Sequence, residues 1–180
     1  MDIAVVKYNA GNIRSVLCAL DRIGYKGYVT SDPEALKNAE RVIFPGVGEA
    51  SSSMSFLKVS DLDQILVNLK QPFLGICLGM QLMCSHSEES NTKCLGIFDV
   101  PVVRFPNNLT VPHMGWNTLL DLGDKNKKAP WCYFVHSYYV PLCDYTAHKT
   151  NYEGIEFSSA LKKDNFMGYQ FHPEKSSSFG

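Results

Sequence analysis

The stretch Gln71–Met83 reads QPFLGICLGMQLM and predicts a buried strand, a sharp turn and a helix. Phe73, Leu74 and Ile76 form a short apolar run of the kind found in a parallel strand that is covered on both faces. The residues that follow, Leu78–Met83, are mostly apolar and are able to begin a helix without an intervening loop. The rest of the chain is therefore expected to be organised around this strand.

Cys77 lies at the junction between the predicted strand and helix. Gly75 and Gly79 flank it two residues away on either side, which gives the pattern G-x-C-x-G. This is the thiol counterpart of the nucleophile elbow, in which small neighbours allow a strained turn to lift the nucleophile off the sheet. A helix that begins just after the sulfur directs backbone N–H groups at it and favours the thiolate. The alternative is a buried structural cysteine, and the symmetric glycines favour the nucleophile.

A nucleophilic thiol needs a base and a group that orients the base. The far end of the chain supplies both in the stretch Gly168–Glu174, which reads GYQFHPE. In an extended segment His172 and Glu174 share a face, and Pro173 favours that extended backbone. An isolated His-Pro-Glu is also typical of a solvated turn, but its combination with Cys77 predicts a Cys-His-Glu triad.

Upstream of these motifs the chain alternates between apolar strands and amphipathic helices. Strands are predicted at residues 3–8, 25–30 and 41–44, and helices at 13–23, 33–39 and 61–69. Such alternation implies a parallel sheet with helices on both faces. After the helix that follows Cys77, β-rich pieces are predicted at residues 100–105, 116–120, 131–135, 145–149, 155–161 and 166–171, with a polar loop at 124–128 and a hairpin connection at 162–165. We expect these pieces to extend the sheet in antiparallel or mixed fashion and to bring His172 beside Cys77.

Composition narrows the class of partner. The 180 residues suggest one domain, and 17 basic against 18 acidic residues give a formal net charge of −1, which is no electrostatic footprint for nucleic acid or a membrane surface. No apolar stretch is long enough for a signal peptide core or for crossing a bilayer, so we expect a cytoplasmic protein with reduced cysteines. Cys84, His86 and Cys94 could be imagined as metal ligands, but no fourth ligand completes the spacing. We expect neither a metal nor a cofactor.

Six motifs together carry a resemblance to a known family. They are GICLGMQLM at 75–83, GYQFHPEKS at 168–176, PHMGWN at 112–117, YFVHSY at 133–138, GNIRSV at 11–16 and PGVG at 45–48. In this combination the chain resembles the triad, or class I, glutamine amidotransferases, whose Cys, His and Glu release ammonia from glutamine. Within that family it is similar to glutaminase subunits that pass ammonia to a (β/α)₈-barrel cyclase, which makes imidazole glycerol phosphate and aminoimidazole carboxamide ribotide (AICAR) in histidine biosynthesis. The likeness covers essentially the whole chain.

The resemblance implies a fold and a set of partners. The fold is a three-layer, doubly wound mixed sheet of the flavodoxin-like type with a C-terminal antiparallel extension, in a single domain that spans residues 1–180. Members of the family usually continue with a helix after the position of Ser176–Ser178, so we expect a C-terminal helix to be missing after Gly180. The implied substrate is L-glutamine, and the implied assembly is a heterodimer with the cyclase, with no nucleic acid or membrane partner.

The resemblance also assigns catalytic roles. The implied catalytic residues are Cys77, His172 and Glu174. The implied oxyanion donors are the backbone N–H groups of Leu78 and Val47. The Val47 N–H must turn inward for this role, and the glycines on both sides, Gly46 and Gly48, make such a rotation easy.

Two further groups of residues follow from the resemblance. The residues that would recognise glutamine are Gln81, His136, Ser137 and Tyr138. The residues that would face or neighbour the cyclase are Asn12, Pro112, His113, Met114, Gly115, Trp116, Asn117 and Lys175. Without the resemblance, these positions are equally typical of an aromatic strand, of ordinary turns and of solvated surface.

Two other classes of protein are compatible with the same triad. A cysteine hydrolase or peptidase of similar fold could use the elbow, but it has no need of the 112–117 motif or of a pocket sized for glutamine. A non-catalytic binding protein could keep the fold after losing the chemistry, but the intact triad argues against it. Alkylation of the thiol by a glutamine analogue, and release of ammonia, distinguish these alternatives.

Overall fold

The computed structural model describes residues 2–9, 11–121 and 129–180. Within them the helices are α1 (Ile13–Arg22), α2 (Pro33–Asn38), α3 (Ala50–Val59), α4 (Leu62–Leu66) and α5 (Leu78–Leu82). The strands are β1 (Ile3–Val6), β2 (Gly27–Thr30), β3 (Arg41–Phe44), β4 (Phe73–Ile76), β5 (His86–Ser87), β6 (Thr92–Lys93), β7 (Pro101–Arg104), β8 (His113–Thr118), β9 (Leu120–Asp121), β10 (Trp131–His136), β11 (Tyr138–Tyr139), β12 (Thr146–Tyr152), β13 (Ile155–Lys163) and β14 (Phe166–Tyr169). Two 3-10 turns span Glu89–Asn91 and Pro173–Lys175. None of these helices is long and apolar enough to cross a membrane. The loop predicted at 124–128 lies outside the described residues.

Eight strands form one mixed sheet in the order β2-β1-β3-β4-β14-β13-β12-β9. The five strands from β2 to β14 are parallel to their neighbours, whereas β14-β13, β13-β12 and β12-β9 are antiparallel pairs. The predicted hairpin at 162–165 joins β13 to β14 through a two-residue loop, in which Asp164 has a positive φ of 51°. The predicted fold class, a doubly wound α/β sheet with an antiparallel extension, is confirmed. Because β14 pairs with β4, the end of the chain returns to the neighbourhood of Cys77.

Strand β1 illustrates how helices cover both faces of the sheet. Ile3 and Val5 belong to the core under α1, whereas Ala4 and Val6 belong to the larger core that contains side chains of α2, α3, α4 and α5. Successive side chains of a strand point to opposite faces, so a strand covered on both sides is apolar at every position. Full burial of one large aliphatic side chain stabilises the fold by roughly 1.5–3 kcal/mol. The two cores together hold the parallel strands in fixed register behind the site.

Helix α3 was not predicted, because the sequence analysis left residues 49–60 without an assignment. Four of its ten residues are serines, which favour helix interiors weakly. The helix forms because Glu49 caps it, accepting a hydrogen bond from the Ser52 N–H at 2.7 Å, and because Met54 and Leu57 are buried in the larger core. Here tertiary burial outweighs intrinsic propensity.

The region between α5 and β12 contains two smaller sheets. One is the antiparallel ribbon β8-β10, and the other has the strand order β11-β7-β5-β6. The strand predicted at 116–120 begins earlier, at His113, and the two-residue strands β5, β6, β9 and β11 were not predicted. The strands of the ribbon are paired from Trp131–Thr118 at one end to His136–His113 at the other. The ribbon forms one wall of the site described next.

Candidate active site

Cys77 occupies the sharp turn between β4 and α5. Its backbone angles, φ 53° and ψ −110°, are ones that residues other than glycine rarely adopt, so the turn is strained. The flanking glycines permit it because a side chain would not fit at either position. A Cβ atom at Gly79 would overlap the carbonyl oxygen of Phe44, and one at Gly75 would overlap the sulfur of Met83. The elbow predicted from the sequence is therefore present, and it holds the thiol with 7% of Cys77 exposed.

Strand β14 delivers His172 to the same edge of the sheet. The Cys77 N–H donates to the Tyr169 carbonyl at 2.7 Å, which ties the elbow to the end of β14. The Nδ1 atom of His172 lies 2.8 Å from Oε1 of Glu174, and both side chains are almost fully buried. A carboxylate only accepts, so Nδ1 carries a proton. The other ring nitrogen, Nε2, has no hydrogen-bond partner among the described residues.

The backbone between His172 and Glu174 differs from the extended segment that the sequence analysis assumed. Pro173–Lys175 form a 3-10 turn, and this turn folds the Glu174 carboxylate back onto the imidazole. Asn12, at the N-terminus of α1, donates from Nδ2 to the same Oε1 atom at 3.3 Å. The carboxylate that orients the ring is thus itself held by a side chain from the other end of the chain.

The pKa of His172 lies well above its ordinary value. Burial by itself would lower this pKa, but hydrogen bonding to a Cys77 thiolate and to Glu174, together with their charges, raises it to about 9. The Nε2 atom and the sulfur do not form a hydrogen bond of good geometry, so proximity of the charges carries part of this effect. The site therefore favours an imidazolium next to the sulfur whenever the sulfur is ionised.

A cavity of about 450 Å³ opens above the thiol. It is lined by Val47, Gly48, Cys77, Leu78, Gln81, Glu89, Pro112, Val135, His136, Ser137, Tyr138 and His172. All the residues to which the resemblance assigns glutamine recognition are among these, as are the two residues that would supply oxyanion donors. Gly46 does not line the cavity. It packs against the elbow, where a Cβ atom would overlap the Gly79 nitrogen.

One of the two expected oxyanion donors is occupied in this structure. The Leu78 N–H donates to the Gly46 carbonyl oxygen at 3.3 Å. The C=O and N–H groups of a trans peptide point in opposite directions, so the N–H of Val47, in the same peptide, points away from the elbow. The Gly46–Val47 peptide must rotate before both donors can face a bound oxyanion.

The sequence model of the family described as glutamine amidotransferase class-I matches residues 6–180. The chain belongs to this family. Its identification agrees with the resemblance drawn from the six motifs, which is confirmed.

Members of the class I glutamine amidotransferase family closely similar to this chain are named imidazole glycerol phosphate synthase subunit HisH. The Bacteroides thetaiotaomicron protein is 55% identical over 190 residues, with 100% of this chain and 95% of that protein covered. The Archaeoglobus fulgidus protein is 44% identical over 187 residues, covering 99% and 93%. Solved structures share the fold at low identity. One described as glutamine amidotransferase has a TM-score of 0.75 at 17% identity, covering 96% and 90%, and the structure of PurLQS from Thermotoga maritima has 0.67 at 16%, covering 96% and 87%.

In this amidotransferase a buried amide pair approaches the thiol. Gln81 donates from Nε2 to the Tyr138 carbonyl and to Oε1 of Gln170, both at 2.9 Å. Gln170, which is fully buried, then directs its own Nε2 at the Cys77 sulfur, 3.8 Å away. Gln170 was not among the site residues predicted from the sequence. Its position two residues before His172 in an extended segment was the available signal, because such residues share a face.

The residues expected to face a partner occupy two kinds of position. On strand β8, Met114 and Trp116 are 66% and 50% exposed, whereas His113 is 3% exposed and faces inward. The Nζ atom of Lys175 lies 5.9 Å from the ring centre of Tyr133, whose ring is 6.1 Å from that of Trp116. An exposed aromatic surface with a cation at its edge therefore exists where the resemblance places the partner. His113 itself has no side-chain access to that surface.

Metal ligands do not cluster in the described part of the chain. No group of three or more His, Cys, Asp or Glu side chains there is arranged to hold an ion.

Proposed function

We propose that this chain is the glutaminase subunit of an imidazole glycerol phosphate synthase. It hydrolyses L-glutamine to glutamate and ammonia, and a cyclase partner uses the ammonia to make imidazole glycerol phosphate and AICAR in histidine biosynthesis. The observation that carries the proposal is the strained Cys77 elbow facing His172, whose ring is held by Glu174, at the bottom of one cavity. The names of the relatives at 55% and 44% identity support the specific pathway.

The reaction follows from this arrangement in two halves. The Cys77 thiolate attacks the side-chain amide carbon of glutamine, and His172 protonates the departing nitrogen so that ammonia leaves and a thioester remains. His172, now neutral, takes a proton from water, and the resulting hydroxide attacks the thioester. Collapse of that second intermediate releases glutamate and restores the thiolate–imidazolium pair. Glu174 keeps the ring in the tautomer that both steps need.

Oxyanion binding supplies the means of control. With the Val47 N–H turned away and the Leu78 N–H engaged by the Gly46 carbonyl, the tetrahedral intermediate lacks preorganised donors. Loss of one such donor lowers the rate by about 10²–10³. We therefore propose that the isolated chain hydrolyses glutamine slowly and that rotation of the Gly46–Val47 peptide accompanies productive assembly with the partner.

The partner is proposed to be a (β/α)₈-barrel cyclase that docks on the surface formed by Met114, Trp116, Tyr133 and Lys175. Ammonia is largely protonated at neutral pH, so an acceptor enzyme benefits from receiving it through a closed passage. A cytoplasmic location is part of the proposal, because free thiols such as Cys77 persist there.

The decisive experiment measures glutamate and ammonia formed from glutamine by the chain alone, with the cyclase, and with cyclase plus its nucleotide-derived substrate. We expect slow hydrolysis by the chain alone and strong stimulation in the third condition. Equal activity in all three conditions would instead indicate a stand-alone hydrolase. Absence of ammonia in all three would indicate a non-catalytic binding protein. In addition, a diazoketone analogue of glutamine should alkylate Cys77, and glutamine should protect it.

A further inference from the structure

Two buried histidines form a direct ring-to-ring hydrogen bond beside the cavity. His113 on β8 and His136 on β10 are paired residues of the ribbon, and Nδ1 of His113 lies 3.0 Å from Nε2 of His136. Both are nearly inaccessible to solvent, at 3% and 6% exposure. His136 lines the cavity, whereas His113 lies behind it, with its ring stacked at 4.0 Å on Tyr152 and at 5.0 Å on Phe134.

The protons in this pair are fixed by the neighbouring groups. Nδ1 of His136 lies 2.8 Å from the Tyr138 carbonyl oxygen, which only accepts, so this nitrogen is the donor. Burial first, and then the repulsion that a protonated His113 would exert, lower the pKa of His136 to about 3, and the ring is neutral at physiological pH. Its Nε2 is consequently unprotonated and accepts from Nδ1–H of His113.

The assignment extends one step further along the ribbon. With the proton of neutral His113 on Nδ1, its Nε2 is an acceptor, and Asn117 supplies the donor from Nδ2 at 3.3 Å. The second hydrogen of that amide goes to the Asn151 carbonyl at 2.9 Å. A chain of hydrogen bonds with one direction thus runs from Asn117, through His113 and His136, to the Tyr138 carbonyl.

The last acceptor in this series of hydrogen bonds, the Tyr138 carbonyl, is part of the glutaminase site. The Tyr138 carbonyl accepts from His136 and also from Gln81, which contacts Gln170, and Gln170 reaches the Cys77 sulfur. We infer that His113 is a positioning residue of the glutaminase reaction: by donating from Nδ1 it locks His136 in the Nδ1–H tautomer and so fixes the carbonyl that holds Gln81 beside the thiol. This inference rests on the function proposed above.

The opposite tautomer shows why the lock is needed. A proton on Nε2 of His136 would leave a bare Nδ1 facing the lone pairs of the Tyr138 carbonyl, and that carbonyl would turn away from the repulsion. A doubly protonated His136 would place a second positive charge near the His172 imidazolium. The titratable groups around the pair are His172, Cys77, Glu89 and Tyr138 at the cavity, and Tyr152 on β12, which is packed against His113.

Two substitutions of His113 separate positioning from packing. His113→Asn sets an amide N–H near the place of Nδ1–H but loses the stacked ring, whereas His113→Phe keeps the stacked ring and loses the donor. We expect kcat/KM for glutamine, measured with the cyclase bound, to stay within about threefold of the parent for His113→Asn and to fall about tenfold for His113→Phe, the equivalent of one lost hydrogen bond. A purely structural role predicts the reverse ranking. His148→Phe, the same chemical change on β12 outside this hydrogen-bond chain, serves as the control with parental kinetics.

Two further readouts test the tautomer itself. In the parent, ¹⁵N NMR of the histidine rings should show His113 and His136 protonated on Nδ1 only, and this needs no substitution. In His113→Phe the acid limb of kcat/KM should move to higher pH, because the freed Nε2 of His136 becomes open to protonation, whereas His113→Asn should keep the parental profile. A parental His136 protonated on Nε2, or a His113→Phe variant with parental kinetics and pH profile, would overturn the inference. If the parent releases no ammonia, the proposed function fails, and the NMR result still decides the fate of the hydrogen-bond chain.

Discussion

Acidification from pH 7 to pH 5 is expected to destabilise the fold through His113 and His136. Burial lowers the pKa of His113 to about 4, and burial together with the neighbouring charges lowers that of His136 to about 3. In the unfolded chain both return to about 6.5. As the pH falls below 6.5, the unfolded state binds protons that the folded state excludes, so stability is present above that pH and is lost on the way down.

The contribution of this pair follows from both rings staying neutral in the folded protein at pH 5. At that pH the unfolded rings lie about 1.5 pH units below their pKa, so each contributes a loss of about 2 kcal/mol and the pair a loss on the order of 4 kcal/mol. His172 acts in the opposite sense. Because the pKa of His172 is raised, its protonation stabilises the fold fully below pH 6.5, and this stabilisation is lost as the pH rises through about 9. Acidification from pH 7 to pH 5 therefore increases the contribution of His172 to stability by only about 1 kcal/mol. The net loss from these three histidines is on the order of 3 kcal/mol.

Urea unfolding at pH 7, 6 and 5, with a reductant present, measures this loss as the change in free energy of unfolding. His113→Asn removes one of the two titrating rings and should reduce the loss by about half, on the order of 2 kcal/mol. His148→Asn, outside the pair, should keep the parental loss. A parent that loses less than about 1 kcal/mol, or a His113→Asn variant that loses as much as the parent, would refute the assignment of two neutral buried rings.

Three further predictions concern single residues. Cys77→Ala should abolish ammonia release while the circular dichroism spectrum and the urea midpoint stay near those of the parent, since a small thiol leaves the core intact; near-parental hydrolysis would exclude Cys77 as the nucleophile. Glu174→Gln should lower kcat less than His172→Ala does, because the base survives without its orienting carboxylate, and the opposite order would give Glu174 a direct role. Glu49→Ala should lower the free energy of unfolding by about 1 kcal/mol through loss of the cap on Ser52, with glutaminase activity per folded molecule unchanged; an unaltered urea midpoint would mean that α3 needs no cap.

The local sequence pattern was sufficient to predict those elements whose conformation depends on residues adjacent in sequence. The apolar run before Cys77 predicted strand β4, and Gly75 and Gly79 predicted the elbow that the backbone angles of Cys77 display. The same reasoning failed for α3, because its serines carry little helical signal and burial of Met54 and Leu57 decides its conformation. Information of that kind lies in the packed tertiary structure.

The arrangement of the site was predictable only in part, for the same reason. The pairing of His172 with Glu174 followed from their spacing and composition, although a 3-10 turn replaces the extended segment that was assumed. The direction of the Gly46–Val47 peptide, the approach of Gln170 to the thiol and the contact between His113 and His136 arise from strands distant in sequence. Apart from the two-residue spacing of Gln170 and His172, no periodicity in the chain encodes them.

The position of β14 between β4 and β13 has a consequence for the synthesis of the protein. Gln170 and Cys77 are 93 residues apart in sequence, and pairing over such separations is slow to form. While a ribosome is still translating the middle of the chain, β4 offers an unpaired edge and Cys77 is a thiol without a base. The emerging polypeptide thus lacks a complete triad and is vulnerable to edge-to-edge aggregation until β14 is inserted. A message cut short before residue 166 would yield a product that has Cys77 but lacks His172 and Glu174.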